Sequence, residues 1–146
     1  MRGILNYALE GETMTEPLKG KTVLVVADDE NMRDLLRRVL DEAGANVVTA
    51  DSAESALETY RQSPPHAVVA DIGLCASDGF ALIKAIRETD LEYRGSTVVL
   101  ALTDSASPEE QKRAFAAGFD AYIAKPFDPA EVIERLREPT RVGRVD

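Results

Sequence analysis

The chain has 146 residues, 45% of them hydrophobic, and a formal net charge of −9. That length suits one compact domain with a real core and short tails. The acidic balance argues against nonspecific binding to nucleic acid or to an anionic membrane, either of which needs a basic surface. Cys75 is the single cysteine, so there is no disulfide framework, and no apolar run approaches the roughly 20 residues of a membrane span. The expected location is cytoplasmic.

Residues 1–20 carry little pattern beyond a short helical stretch at Arg2–Glu10 and the punctuation of Pro17 and Gly20, and they read as an extension or linker. The domain is expected over residues 21–138, with a tail over 139–146. Its first strand is Thr22–Ala27, which runs into Asp28-Asp29. Asn31–Ala43 sets Met32, Leu35, Leu36, Val39 and Leu40 at helical spacing, and Gly44 stops that helix. Asn46–Ala50 is a second strand, and Ala53–Gln62 a helix halted by Pro64-Pro65. The third strand, His66–Ala70, runs into Asp71; a helix then follows Asp78-Gly79 with Phe80, Leu82, Ile83 and Ile86 facing inward. Thr97–Leu102 runs into Thr103, and the fourth helix spans Pro108 to about Gly118. Asp120–Ala124 runs into Lys125-Pro126, and a last helix covers about Asp128 to Glu138, with Val132, Ile133 and Leu136 as its buried stripe. Strict alternation of five strands and five helices predicts an α/β fold with a doubly wound, five-stranded parallel sheet, and an order of 2-1-3-4-5 would set the ends of its first and third strands side by side.

In such a sheet the carboxyl ends of all strands open onto one edge, where ligands bind. Asp28, Asp29, Asp71, Thr103 and Lys125 would therefore converge from positions spread along the chain. Adjacent carboxylates repel unless a cation sits between them, which makes Asp28 and Asp29 a candidate Mg²⁺ site, or else acids capping a helix. The strand order sets Asp71 beside them. Three carboxylates in one pocket need a metal, and a metal held there would let an aspartate attack a phosphoryl donor. Thr103 offers a hydroxyl and Lys125 a point charge to the same group.

From about residue 20 to 138 the chain resembles the receiver domains of bacterial two-component response regulators, the chemotaxis regulators among them. The matching residues are Asp28 and Asp29, the acceptor-like Asp71, Asp78-Gly79, Thr103 and the Lys125-Pro126-Phe127 triplet. The resemblance implies a flavodoxin-like fold and a phosphoryl-accepting switch rather than an enzyme, with self-dephosphorylation at most. Asp71 would receive phosphate from a sensor histidine kinase or a histidine phosphotransfer protein. Asp29, Asp71 and the Gly73 backbone carbonyl would hold Mg²⁺, with Asp28 helping through water. Thr103 and Lys125 would sense the phosphoryl group, and Tyr122 would change rotamer as Thr103 moves inward. Signal would leave through helix four, strand five and helix five, roughly residues 107–138, toward a downstream protein or a second copy of the chain. Eight residues follow Glu138, too few for a DNA-binding module, so direct nucleic-acid contact is not expected. A stand-alone switch and a receiver from a hybrid sensor kinase both fit.

Two positions depart from the family pattern. Cys75 stands where a proline is usual, which with Gly73 loosens the loop after Asp71, and Asp104 stands where a small residue is usual. His66 opens a strand far from the site and is expected to be structural. The departures favour one alternative, a phosphorylation-independent interaction module with an impaired site. A metal-dependent phosphatase would want its two aspartates spaced by one residue, and a flavin-binding relative a hydroxyl- and glycine-rich phosphate loop after the first strand. Neither pattern is present.

Overall fold

The computed structural model describes residues 16–71, 76–93, 97–104 and 107–137, apart from the side chains of 76–79 and 91–93. Arg2–Glu10, Gly73, Cys75 and the tail over 139–146 lie outside those residues. The elements are β1 (Thr22–Val26), α1 (Glu30–Glu42), β2 (Asn46–Ala50), α2 (Ala53–Gln62), β3 (Ala67–Asp71), α3 (Ala76–Tyr93), β4 (Val98–Thr103), α4 (Pro108–Ala117), β5 (Ala121–Ala124) and α5 (Pro129–Arg137). All strand pairs are parallel and the sheet order is β2-β1-β3-β4-β5, the order expected.

Each central strand buries both faces, and its side chains alternate between two cores. One core takes Val23, Val25, Val69, Leu100, Leu102 and Ile123 against Leu36 and Leu40 of α1 and Val132 and Leu136 of α5. The other takes Leu24, Val26, Val68, Ala70, Val99 and Ala101 against Ala56 and Tyr60 of α2, Leu82, Ile83 and Ile86 of α3, and Ala114 of α4. Helix ends follow local chemistry. Ser52 and Ser107 accept the backbone N–H groups of Ser55 and Glu110, and Pro108 opens α4. After α1 the chain turns at Gly44 with φ +99, where a Cβ would lie 3.1 Å from the Lys19 backbone nitrogen, so only glycine fits.

Four boundaries differ from expectation in ways that matter for the site. β3 and β4 extend through Asp71 and Thr103, because the ladder continues to Asp71 opposite Leu102 and Thr103 opposite Ala124. Both polar residues are thereby held inside the sheet edge rather than in the loops beyond it. The third helix starts at Ala76, so Asp78 and Gly79 are helical residues and do not close the preceding loop. One interior glycine costs a helix about 1 kcal/mol, less than burial of Leu82, Ile83 and Ile86 returns. Finally, α1 begins at Glu30, which makes Asp29 its N-cap.

Candidate functional site: the carboxyl edge of the sheet

Asp71 ends a strand buried along its whole length and is itself only 6% exposed. A carboxylate in such a place needs a charged partner. Lys125 supplies it: the register of Thr103 with Ala124 brings the residue after β5 to the same edge, and the Lys125 backbone N–H donates to the Thr103 carbonyl at 2.7 Å. From there Lys125 Nζ donates to Asp71 Oδ2 at 2.8 Å. Thr103 is 5% exposed on the strand between them. The Lys125–Pro126 peptide is cis. Asp71, Thr103 and Lys125 are thus brought together, as expected.

The acidic pair after β1 behaves differently. The β1–β3 register ends with Val26 opposite Ala70, and its continuation sets Ala27, fully buried, alongside Asp71. Asp28 and Asp29 come one and two residues later, both exposed. Asp29 Oδ1 accepts the Asn31 backbone N–H at 3.0 Å, satisfying one of the orphan donors at the start of α1. Among the described residues no group of three or more His, Cys, Asp or Glu side chains is placed to hold a metal ion. In this arrangement Asp71 is paired with Lys125 and Asp29 caps the helix start, rather than the two facing a shared cation with Asp28. The donor set still suits Mg²⁺, which is commonly bound through one or two carboxylates while keeping several waters. A carboxylate has two oxygens and about four lone-pair sites, so a cap made through Oδ1 leaves Asp29 capacity for a metal.

One site residue escapes a reading of the sequence alone. Arg33 Nη1 donates to the carbonyls of Ala27 at 2.9 Å and Asp28 at 3.2 Å, clamping the β1–α1 turn with a cation. Its signal was an arginine one turn into a helix that follows two acids. Asp104, the departure visible in the sequence, follows Thr103 at the rim, its side chain 78% exposed and its Oδ1 3.9 Å from Lys125 Nζ. Tyr122 is half-buried on β5, its ring 6.3 Å from that of Phe115 on α4, so strand five and helix four share an aromatic contact. His66 lies at the opposite edge, where its Nδ1 accepts the Thr22 backbone N–H at 2.9 Å, a structural bond between β1 and the start of β3.

A doubly wound parallel sheet with a buried, lysine-paired aspartate at its switch point defines a class of signalling domain. The profile of the response regulator receiver domain matches residues 23–137, and the chain belongs to that family of two-component signal transduction. It is 34% identical over 118 residues to the chemotaxis protein CheY of Halobacterium salinarum, covering 81% of this chain and 95% of that one. It is also 38% identical over 117 residues to an uncharacterised 14.6 kDa protein of Leptolyngbya boryana, covering 80% and 87% of the two. Among solved structures, the receiver domain of Saccharomyces cerevisiae Ssk1, crystallised with the phosphotransfer protein Ypd1, superposes with a TM-score of 0.76 over 83% of this chain and 89% of that one. At 20% identity this is a likeness of fold. No described helix is long and apolar enough to cross a membrane.

Proposed function

We propose that the chain is a phosphoryl-accepting switch with Asp71 as the acceptor. The observation that carries this is the buried Asp71 carboxylate held at 2.8 Å by Lys125, with Thr103 on the strand between them. An Asp71 carboxylate oxygen attacks phosphorus, the bond from phosphorus to the donor's histidine nitrogen breaks, and that nitrogen keeps the electron pair and takes up a proton. Mg²⁺, held by Asp29 and Asp71 with the Gly73 carbonyl that the family implies, would neutralise charge on the transferred oxygens. Asp28 would support that ion through water, as the family resemblance implies. Lys125 then exchanges its bond to the carboxylate for one to a phosphoryl oxygen, and Thr103 donates its hydroxyl to another.

The modification adds about −1.5 to −2 charge at one point, and Lys125 and Thr103 meet it only by moving. Thr103 ends β4 and Lys125 directly follows β5, so the movement reaches Tyr122 and its contact with Phe115. A state that satisfies the phosphoryl oxygens is thereby favoured over the resting one. The face of α4, β5 and α5 is the proposed output surface, toward a downstream protein or a second copy. The proposed donor is a sensor histidine kinase or a histidine phosphotransfer protein, with this chain acting in the cytoplasm, and slow self-dephosphorylation resets the switch.

The experiment is intact mass after incubation with Mg²⁺ and acetyl phosphate. Wild type gains one phosphoryl group, about 80 Da, and Asp71→Asn gains none. Asp104, exposed at the rim beside Lys125, favours one second reading, an interaction module that works without phosphate. Absence of any Mg²⁺-dependent gain in wild type, under conditions that label an active control, would select it.

A further inference from the structure

We propose that Asp104 is a charge filter on the site, slowing its loading by highly charged small donors. The proposal rests on the assignment of Asp71 as acceptor and adds a specificity-determining residue to it. The parallel register of Thr103 with Ala124 sets the next residues of both strands, Asp104 and Lys125, abreast at the rim. Lys125 Nζ accordingly lies between two carboxylates, Asp71 Oδ2 at 2.8 Å and Asp104 Oδ1 at 3.9 Å. They are unlike: the Asp71 side chain is 6% exposed and the Asp104 side chain 78% exposed. Asp71 is fixed and reactive, and Asp104 is a solvated charge at the mouth.

A donor phosphoryl group must approach Asp71 past that mouth and recruit Lys125 as its counter-charge. Asp104 opposes both events, since it repels the incoming oxygens and competes for the same ammonium. The opposition grows with the donor's charge and weakens with salt, because an exposed carboxylate acts through solvent. A protein donor presents a phosphohistidine within a surface that can carry its own cation to Asp104, so the filter discriminates against free metabolite-type phosphates.

The test measures initial rates of Asp71 labelling by intact mass in saturating Mg²⁺, for wild type, Asp104→Asn and Asp104→Glu. Two donors are used, acetyl phosphate (a dianion at neutral pH) and phosphoramidate (a monoanion). Asp104→Asn is expected to load from acetyl phosphate about three- to ten-fold faster at low ionic strength. The gain should fall below about two-fold near 0.5 M salt and be smaller with phosphoramidate. Asp104→Glu keeps the charge and should load at the wild-type rate. Equal rates for wild type and Asp104→Asn, or a gain indifferent to salt and donor charge, would overturn the filter while leaving Asp71 as acceptor. If neither chain labels, the acceptor assignment falls and the filter with it.

Discussion

The two edges of the sheet both bury charge, and they handle it in opposite ways. At the amino edge, Arg87 on α3 bridges Asp90 at 2.9 Å and Asp120 at 2.6 Å and donates to the carbonyls of Thr97 and Gly118. Asp120 accepts the Val99 backbone N–H, Asp90 accepts that of Thr97, and the Tyr60 hydroxyl donates to Asp90 and meets the Thr97 hydroxyl at 2.9 Å. That network ties α2, α3 and the starts of β4 and β5 together through mutually satisfied partners. At the carboxyl edge, Asp71 has an ammonium that an exposed second carboxylate also attracts. The amino-edge network is held by many short bonds, whereas at the carboxyl edge one ammonium faces two carboxylates at unequal distances. The first anchors β4 and β5, and the second is where the proposed switch would let their far ends respond to phosphate.

The contrast breaks most visibly at Arg87. Arg87→Ala takes this cation from the buried Asp90 and Asp120 carboxylates, and should cost about 3 kcal/mol or more of stability. Urea unfolding monitored by circular dichroism checks this, and a change below about 1 kcal/mol would mean that the network is not an anchor.

Tyr60→Phe comes next, at about 1–3 kcal/mol, by leaving Asp90 one donor short. It also carries a pH signature. Burial, reinforced by the hydrogen bond to Asp90, pushes the Tyr60 hydroxyl from 10.0 up to about 12. A raised phenol pKa favours the neutral form in the folded state. The resulting stabilisation is complete below the unfolded value of 10.0 and is lost as pH rises through about 12. Thermal melts of wild type should therefore fall across that interval by more than those of Tyr60→Phe.

The smallest stability effect, and the sharpest for the carboxyl edge, separates the two tasks of Asp29. Asp29→Ala should lose about 0.5–2 kcal/mol as a removed cap, and Asp29→Asn, an equally good cap, close to nothing. Calorimetric titration with Mg²⁺ should nonetheless find Asp29→Asn weaker by more than about ten-fold. Asp28→Asn should lose about ten-fold, the scale on which metal affinity responds to lost outer support. Wild-type Mg²⁺ affinity in Asp29→Asn would confine that residue to the cap.

The frame was legible in the sequence because each element announces itself locally. Apolar runs such as Thr22–Val26 and Val98–Thr103 alternate with helices whose buried residues, Leu36 with Leu40 and Val132 with Leu136, recur at helical spacing. Asp71, Thr103 and Lys125 were legible because strand ends in a parallel sheet must share an edge. Capping by the acidic pair was legible only as the alternative to a metal role, and which acid caps turns on whether α1 starts at Asn31 or at Glu30, a one-residue difference that composition does not encode. The amino-edge network was not legible. Tyr60, Arg87 and Asp90 look like ordinary helix residues and Asp120 like an ordinary strand start, and only the packing of α2 and α3 against the sheet brings them together.

The central claim is that the carboxyl edge switches while the amino edge holds. Hydrogen exchange with and without Mg²⁺ and beryllofluoride, a phosphoryl mimic, tests it most directly. The account predicts altered protection at Thr103, Asp104 and Tyr122–Lys125, with the amides of Thr97, Val99 and Asp120 unchanged. Equal changes at both edges, or none at the carboxyl edge, would contradict it.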